Sequence, residues 1–213
     1  MRRTLAIALC VFLLLPSVAA QEPAPTYAAL LEKVKAKDPD VDFAALRMAF
    51  TETDAYAPYG GDRDTRKAMF AALNEKNYAK AVECAEKILA QDFLDINAHL
   101  GAARAHKELH NDERADFHRD VGMGLITSIL RSGDGKSPET AFVVISTDEE
   151  YVLLNFLGIR PSGQSLLHKD QHSYDLMKGT EQDSGETVSI YFNIDKPFAH
   201  LAAQIDKSPK KKN

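Results

Sequence analysis

Of the chain's 213 residues only two are cysteines, Cys10 and Cys84. Cys10 falls within an N-terminal leader, so the remainder keeps one thiol and has no partner for an intramolecular disulfide. Cys10 is followed by a long apolar stretch instead of standing at the cleavage point, which argues against a lipid-anchored lipoprotein. After the leader no apolar run reaches bilayer-spanning length, so stable membrane insertion by a helix is not expected. A basic surplus is missing too, since 26 Lys and Arg face 31 Asp and Glu. Once Arg2 and Arg3 depart with the leader, 24 against 31 leaves −7 with the histidines neutral. That sign is wrong for the basic footprint that nucleic-acid phosphates demand.

The leader itself is Arg2 and Arg3, an apolar run from Leu5 to Leu15, and Pro16-Ser17-Val18-Ala19-Ala20. Its charges hold the N-terminus in the cytosol, and Val18 and Ala20 are small enough for a signal peptidase. This predicts a signal peptide over 1–20, cleavage after Ala20, and a periplasmic or secreted product. Residues 21–26, with two prolines in a polar stretch, form a disordered lead-in. At the far end Lys207 and Lys210-Lys211-Lys212 make 206–213 a basic flexible tail.

Between them lie two regions of different character. Residues 27–131 read as helical. Helical spacing runs from Tyr27 to Val34, and Asp42 is placed to cap a second helix from Phe43 to Phe50. From Arg63 to Leu130 the breaks at 74–77, 92–95 and 110–112 divide the pattern into four more helices. Ala81 precedes Ala115 by 34 residues, which is the tetratricopeptide period. A small residue is needed there, because a larger one would push the paired helices apart. The stretch from Arg63 to Phe117 therefore resembles two degenerate tetratricopeptide repeats. It departs from that pattern at Thr65, Met69, Phe93 and His99, and a generic helical bundle is the bland alternative. Two repeats need capping, a task for the helices of 27–50 and for the C-terminal module. Cys84, in a helical pattern, reads as a small buried hydrophobe.

Residues 132–205 read as an α+β module. Ala141 to Ser146 suits a buried strand, and Thr147 with Glu150 spells a capping box for a helix closed by Gly158. Ile159–Lys169 and His172–Gly179 are expected strands around a turn. Val188, Ile190, Phe192 and Ile194 alternate as in a half-buried strand, and a short helix follows from Pro197. The predicted fold class is α+β, with tetratricopeptide-like hairpins packed on a small, mostly antiparallel sheet.

Five phrases carry a resemblance across the exported chain. They are Asp42 to Arg47, Gly133 to Ile145, Glu149-Glu150-Tyr151, His172-Ser173-Tyr174-Asp175 and Tyr191 to Asp195. With them the sequence resembles an exported bacterial family of unknown function, DUF4919. The resemblance implies a shared fold and an exported setting, and it supplies no catalytic residue.

Chemical motifs are sparse. Gly133-Asp134-Gly135-Lys136-Ser137 ends like a phosphate loop, but Leu130 stands where its first glycine belongs and Pro138 blocks the following helix. His106 and His110 are spaced as in a zincin, yet Lys107 occupies the general base's position and packing explains His106. His99 extends this row along one helix. His168, Asp170, His172, Asp175 and Ser173 gather near a strand turn without a nucleophile elbow. Glu149 and Glu150 fit the first turn of a helix. No cofactor or metal is called for. The first helices of the two hairpins carry Arg63, Arg66, Asn97, Arg104 and Lys107, a basic and amide-bearing groove for a partner's carboxylates. The functional expectation is a non-enzymatic peptide- or protein-binding scaffold module of the cell envelope. The alternative is a hydrolase or metal-dependent enzyme at the junction of the two halves, around His168, His172 and the 133–138 loop.

Overall fold

The structure, a computed structural model, describes residues 24–207. The leader and its cleavage point, the first half of the lead-in and Lys210 to Lys212 of the tail lie outside the described residues.

Six helices come first: α1 (Tyr27–Lys35), α2 (Phe43–Phe50), α3 (Arg63–Asn74), α4 (Tyr78–Leu89), α5 (Ile96–Glu108) and α6 (Asp112–Leu130). Each starts on a polar side chain that takes up one of the first turn's free N–H groups. Asp42 Oδ1 accepts from Ala45 N at 2.9 Å, Asp62 from Thr65 N at 2.9 Å and Asp95 from Ala98 N at 2.8 Å. Asn77 and Asn111 do the same for α4 and α6.

The hairpins α3/α4 and α5/α6 repeat one another at the level of single hydrogen bonds. Lys76 and His110, 34 residues apart, both take left-handed backbone, at φ 59° and 58°. Asn77 N donates to Ala72 O at 2.8 Å, and Asn111 N donates to His106 O at 2.9 Å. Ala81 and Ala115 each stand in the first turn after these caps, and both are buried. Ala81, Cys84, Ala85 and Ile88 of α4 pack with Met69, Ala72 and Leu73 of α3 and Ala98, Ala102 and Ala105 of α5 in one cluster. Cys84 is a buried free thiol within it.

The helices α1 and α2 lie against the other side, with α2 packed on α6. Their approach is close: a Cβ on Gly124 of α6 would stand 2.4 Å from the Phe43 ring. Leu30, Val34, Leu46 and Phe50 join Leu125, Ile126 and Ile129 of α6, and the same cluster continues into the sheet through Phe142, Met177 and Phe192.

After a 3₁₀ turn at Pro138–Thr140 come β1 (Phe142–Val143), α7 (Thr147–Phe156), β2 (Ile159–Lys169), β3 (His172–Glu181), β4 (Thr187–Asn193) and α8 (Asp195–Lys207). The four strands form one sheet in the order β1-β4-β3-β2, parallel between β1 and β4 and antiparallel elsewhere. The fold is α+β, as expected. Two local expectations are corrected. The strand foreseen over 141–146 is two residues long, because Val144 N makes a last bond to Asn193 O and Ile145 N turns away to a carboxylate of Glu149. The helix cap is Ser146 and not Thr147: Ser146 Oγ accepts from Glu149 N, which moves the Ser/Thr-x-x-Glu frame back by one residue.

Replacing Ala81 or Ala115 by Leu is expected to lower stability by about 1–3 kcal/mol, since each added side chain must be fitted into a filled helix crossing. Urea denaturation of the mature chain measures this, and a matched substitution at exposed Ala79 serves as the neutral control.

Candidate functional site

The resemblance-bearing segments Asp42–Arg47 and Glu149–Tyr151 meet at a buried ion pair. Arg47 is 1 % exposed and lies on the inner face of α2. Its Nε donates to Glu149 Oε1 at 2.8 Å and its Nη2 to Glu149 Oε2 at 2.6 Å, a forked arrangement suited to guanidinium and carboxylate. Nη2 also reaches Val143 O at 2.8 Å and Nη1 reaches Ser128 Oγ at 3.3 Å, so each guanidinium nitrogen has an acceptor. Glu149 Oε2 also accepts Ile145 N at 2.8 Å. One cluster thus ties α2, α6, β1 and α7. Glu149 is a first-turn helix residue, as read from the sequence, but its carboxylate is spent on distant Arg47 and on the backbone of Ile145.

Glu150, next in sequence, points at the sheet and is fully buried. Burial first, then Asp175 and Glu149, push its carboxyl up to about 9. Asp175 on β3 is raised as well, chiefly by burial, and Gln164 Nε2 of β2 donates to its Oδ2 at 2.6 Å. The consistent protonation has neutral Glu150 donating its hydrogen to ionised Asp175, because two carboxylates this close do not both stay charged. Tyr59 borders the pair and is raised by burial and by both acids. Farther along the junction, Arg66 Nη2 binds Asp95 at 2.6 Å and Asp148 at 2.8 Å. Burial, with Asp95 and Glu149 nearby, pushes the Asp92 carboxyl up to about 6. A cleft of about 170 Å³ lies against Arg66, Asp92, Asp95 and Asp148.

The groove residues foreseen from sequence are placed as follows. Arg66 is held by Asp95 and Asp148, while Lys107 pairs with Asp112 at 2.7 Å. Asn97 is half-buried beside Asp95 and Asp148, in a crevice that also touches Glu149. Arg63 and Arg104 are exposed on α3 and α5. Arg66 and Asn97 are therefore brought to one acidic neighbourhood, and Lys107 has a carboxylate of its own.

The cluster at the strand turn divides in two. His168 Nδ1 lies 3.1 Å from Ser173 Oγ, whereas Asp195 Oδ2 lies 2.5 Å from Nδ1 of His172. A hydrolytic triad needs the acid and the hydroxyl on the same imidazole, and here they are on different ones. Asp170 sits in the turn at φ 49°, and Asp175 faces Gln164 and Glu150. The 133–138 loop is closed on itself: Asp134 N and Gly135 N both donate to Thr140 O, at 2.9 and 2.8 Å, which removes two donors a phosphate would need. Among the described residues no group of three or more His, Cys, Asp and Glu is placed to hold a metal ion.

The histidine row is also rearranged. His110 occupies the exposed turn between α5 and α6, and His118 of α6 joins His99 and His106 instead. His99 Nδ1 and His118 Nδ1 are 3.0 Å apart, and the rings of His106 and His118 stack at 5.6 Å and 11°. A spacing argument along one helix misses His118, since its partners stand on the neighbouring helix.

A family model described as Domain of unknown function (DUF4919) matches residues 17–202. The chain belongs to this family. No curated protein and no solved structure matches it. In this DUF4919 chain no described helix is long and apolar enough to cross a membrane.

Two stability measurements test the junction. Arg47→Met leaves Glu149 buried without its cation and is expected to cost about 3–5 kcal/mol, while Arg47→Met with Glu149→Leu recovers part of that loss. Urea midpoints read both. Glu150 holds a proton in the folded chain over a range where the unfolded side chain, with its value of 4.5, has lost it. Folding stability therefore falls as pH rises from about 5 to 9, with Asp175 acting in the same direction. Glu150→Gln keeps a donor for Asp175 and needs no proton, so its urea midpoint at pH 9 should exceed that of the parent and its slope over this window should be shallower.

Proposed function

We propose that the protein is an exported, non-enzymatic module of the bacterial cell envelope that binds a peptide or protein through its helical half. The observation that carries this reading is the 34-residue correspondence of the two hairpins. It includes the left-handed turn residues Lys76 and His110, the caps Asn77 and Asn111, and the small crossing residues Ala81 and Ala115. Hairpins related in this way are tetratricopeptide-like, and stacking them aligns α3 and α5 into one extended face. The leader motif at Arg2, Arg3 and Val18 to Ala20 supports export. The separation of Ser173, His168, His172 and Asp195 into two pairs favours binding over hydrolysis at the turn.

A second reading, an enzyme at the junction of the halves, draws on the raised carboxyls of Asp92, Glu150 and Asp175. Glu150 is sealed from solvent, however, and a general acid must reach the atom it protonates.

On the α3/α5 face Arg104 and Lys107 are the exposed cations of the second hairpin. Immobilised mature protein is expected to retain a partner from its native envelope extract, with retention reduced at least severalfold by Arg104→Glu with Lys107→Glu. Equal retention by the variant removes this face from the binding surface. Absence of any retained partner removes the scaffold reading.

A further inference from the structure

Helix α8 is fastened to the body by its first turns. Lys196 Nζ reaches Glu52 Oε1 at 2.7 Å, and the rings of Phe198 and His200 meet those of His168 and Tyr56 at 5.3 and 5.1 Å. Phe198 thereby packs against the main core. From Leu201 to Ile205 every residue is exposed, so this part of the helix stands clear of its neighbours. It is nevertheless not polar throughout. Phe198, Leu201, Ala202 and Ile205 follow one another at i, i+3, i+4 and i+7, which sets them in a single stripe along the helix. Phe198 spends its share of the stripe on the core, while Leu201 is 38 % and Ile205 63 % exposed.

The charge along the chain changes sign at the same place. Without Arg2, Arg3 and the lysines at 207 and 210–212, the 26 Lys and Arg fall to 20 against 31 Asp and Glu, which is −11 for residues 21–206. Those four lysines give residues 207–213 a charge of +4 with no acid among them. At most about 18 Å of extended chain separates Lys212 from Lys207, where α8 ends, so all four cations are tied close to the apolar stripe.

We propose that α8 and the lysines after it form a docking element for an anionic phospholipid surface, with Leu201 and Ile205 entering the interface and the lysines meeting the headgroups. Such a surface offers an apolar layer and negative charge together, and a protein is held there when two weak signals of this kind act at once. The −11 body is repelled by the same charge, which leaves this element to make the contact and sets the orientation of the molecule. Two large apolar side chains are far too few for a protein interface of the usual size, about 800 Å² per partner. A lipid interface has no such requirement, since it takes up side chains one at a time. This is adsorption to a surface, distinct from a spanning helix, and it goes beyond the binding reading above without depending on it.

The test mixes the mature chain with vesicles of phosphatidylcholine alone, or with about one-third phosphatidylglycerol, at about 0.1 M salt. Binding to the anionic vesicles only is expected, with loss at about 1 M salt, where the screening length shortens to about 3 Å. Replacing Lys210, Lys211 and Lys212 together by Gln should weaken binding roughly a hundredfold, about fivefold for each lysine. Leu201→Ser with Ile205→Ser should weaken it at least about tenfold, and the urea midpoint should stay where it was because both side chains are exposed. The chain contains no tryptophan, so Ile205→Trp adds a single indole whose emission reports entry into lipid. That emission should move to the blue with the anionic vesicles and stay unchanged with inorganic polyphosphate. Equal binding to both kinds of vesicle, or an indole that does not shift, overturns the proposal. Parental affinity in the Leu201→Ser, Ile205→Ser chain makes the lysines a general polyanion site and overturns it too, as does capture of an acidic protein through α8 with no vesicle binding.

Discussion

The fold is organised around the forked contact of Arg47 with Glu149. Both groups are out of water, so each would be a severe liability alone, and the arrangement works only because every nitrogen of the guanidinium has an acceptor. Its position explains much else. Val143 O and Ile145 N, at the end of the short first strand, are occupied by this pair. Ser128 brings in the long sixth helix, whose apolar side continues the core begun by the first two helices. The N-terminal helices are thereby bound to the sheet half by specific polar contacts as well as by apolar packing.

The acids that follow it are graded by environment. Glu149 has a cation, Asp148 shares Arg66 with Asp95, and Glu150 has only another acid to face. Three consecutive acidic residues on one helix turn thus have three different electrostatic situations, set by which neighbour each meets. The histidines in the helical half form the opposite case, a group of bases kept neutral in an apolar contact between α5 and α6. Neither group resembles an open catalytic centre.

Much of this architecture was legible in the chain because it rests on local rules. Asp42, Asn77 and Asn111 announce helix starts by side-chain chemistry, and the alternation from Val188 to Ile194 announces a strand by period. The hairpin correspondence follows from a fixed distance between Ala81 and Ala115. What escaped reading depends on partners far away in sequence. Arg47 looks like one polar position in an amphipathic helix, and only tertiary packing turns it inward, toward a residue 102 positions later. His118 carries no such local signal, because its partners His99 and His106 stand on the neighbouring helix. Thr147 with Glu150 satisfies the same capping rule as Ser146 with Glu149, so the local rule alone does not select the frame the fold uses.

The long reach of the Arg47 contact also orders the assembly of the chain. The paired helices from 63 to 130 meet neighbours close in sequence and can condense early, whereas the first two helices acquire their polar partner only after residue 149 is present. During synthesis the oldest part of the molecule is consequently among the last to be fastened. Until then its apolar sides, Leu30, Val34, Leu46 and Phe50, have no finished core to enter, and a chaperone that shields nascent chains would have this stretch to hold.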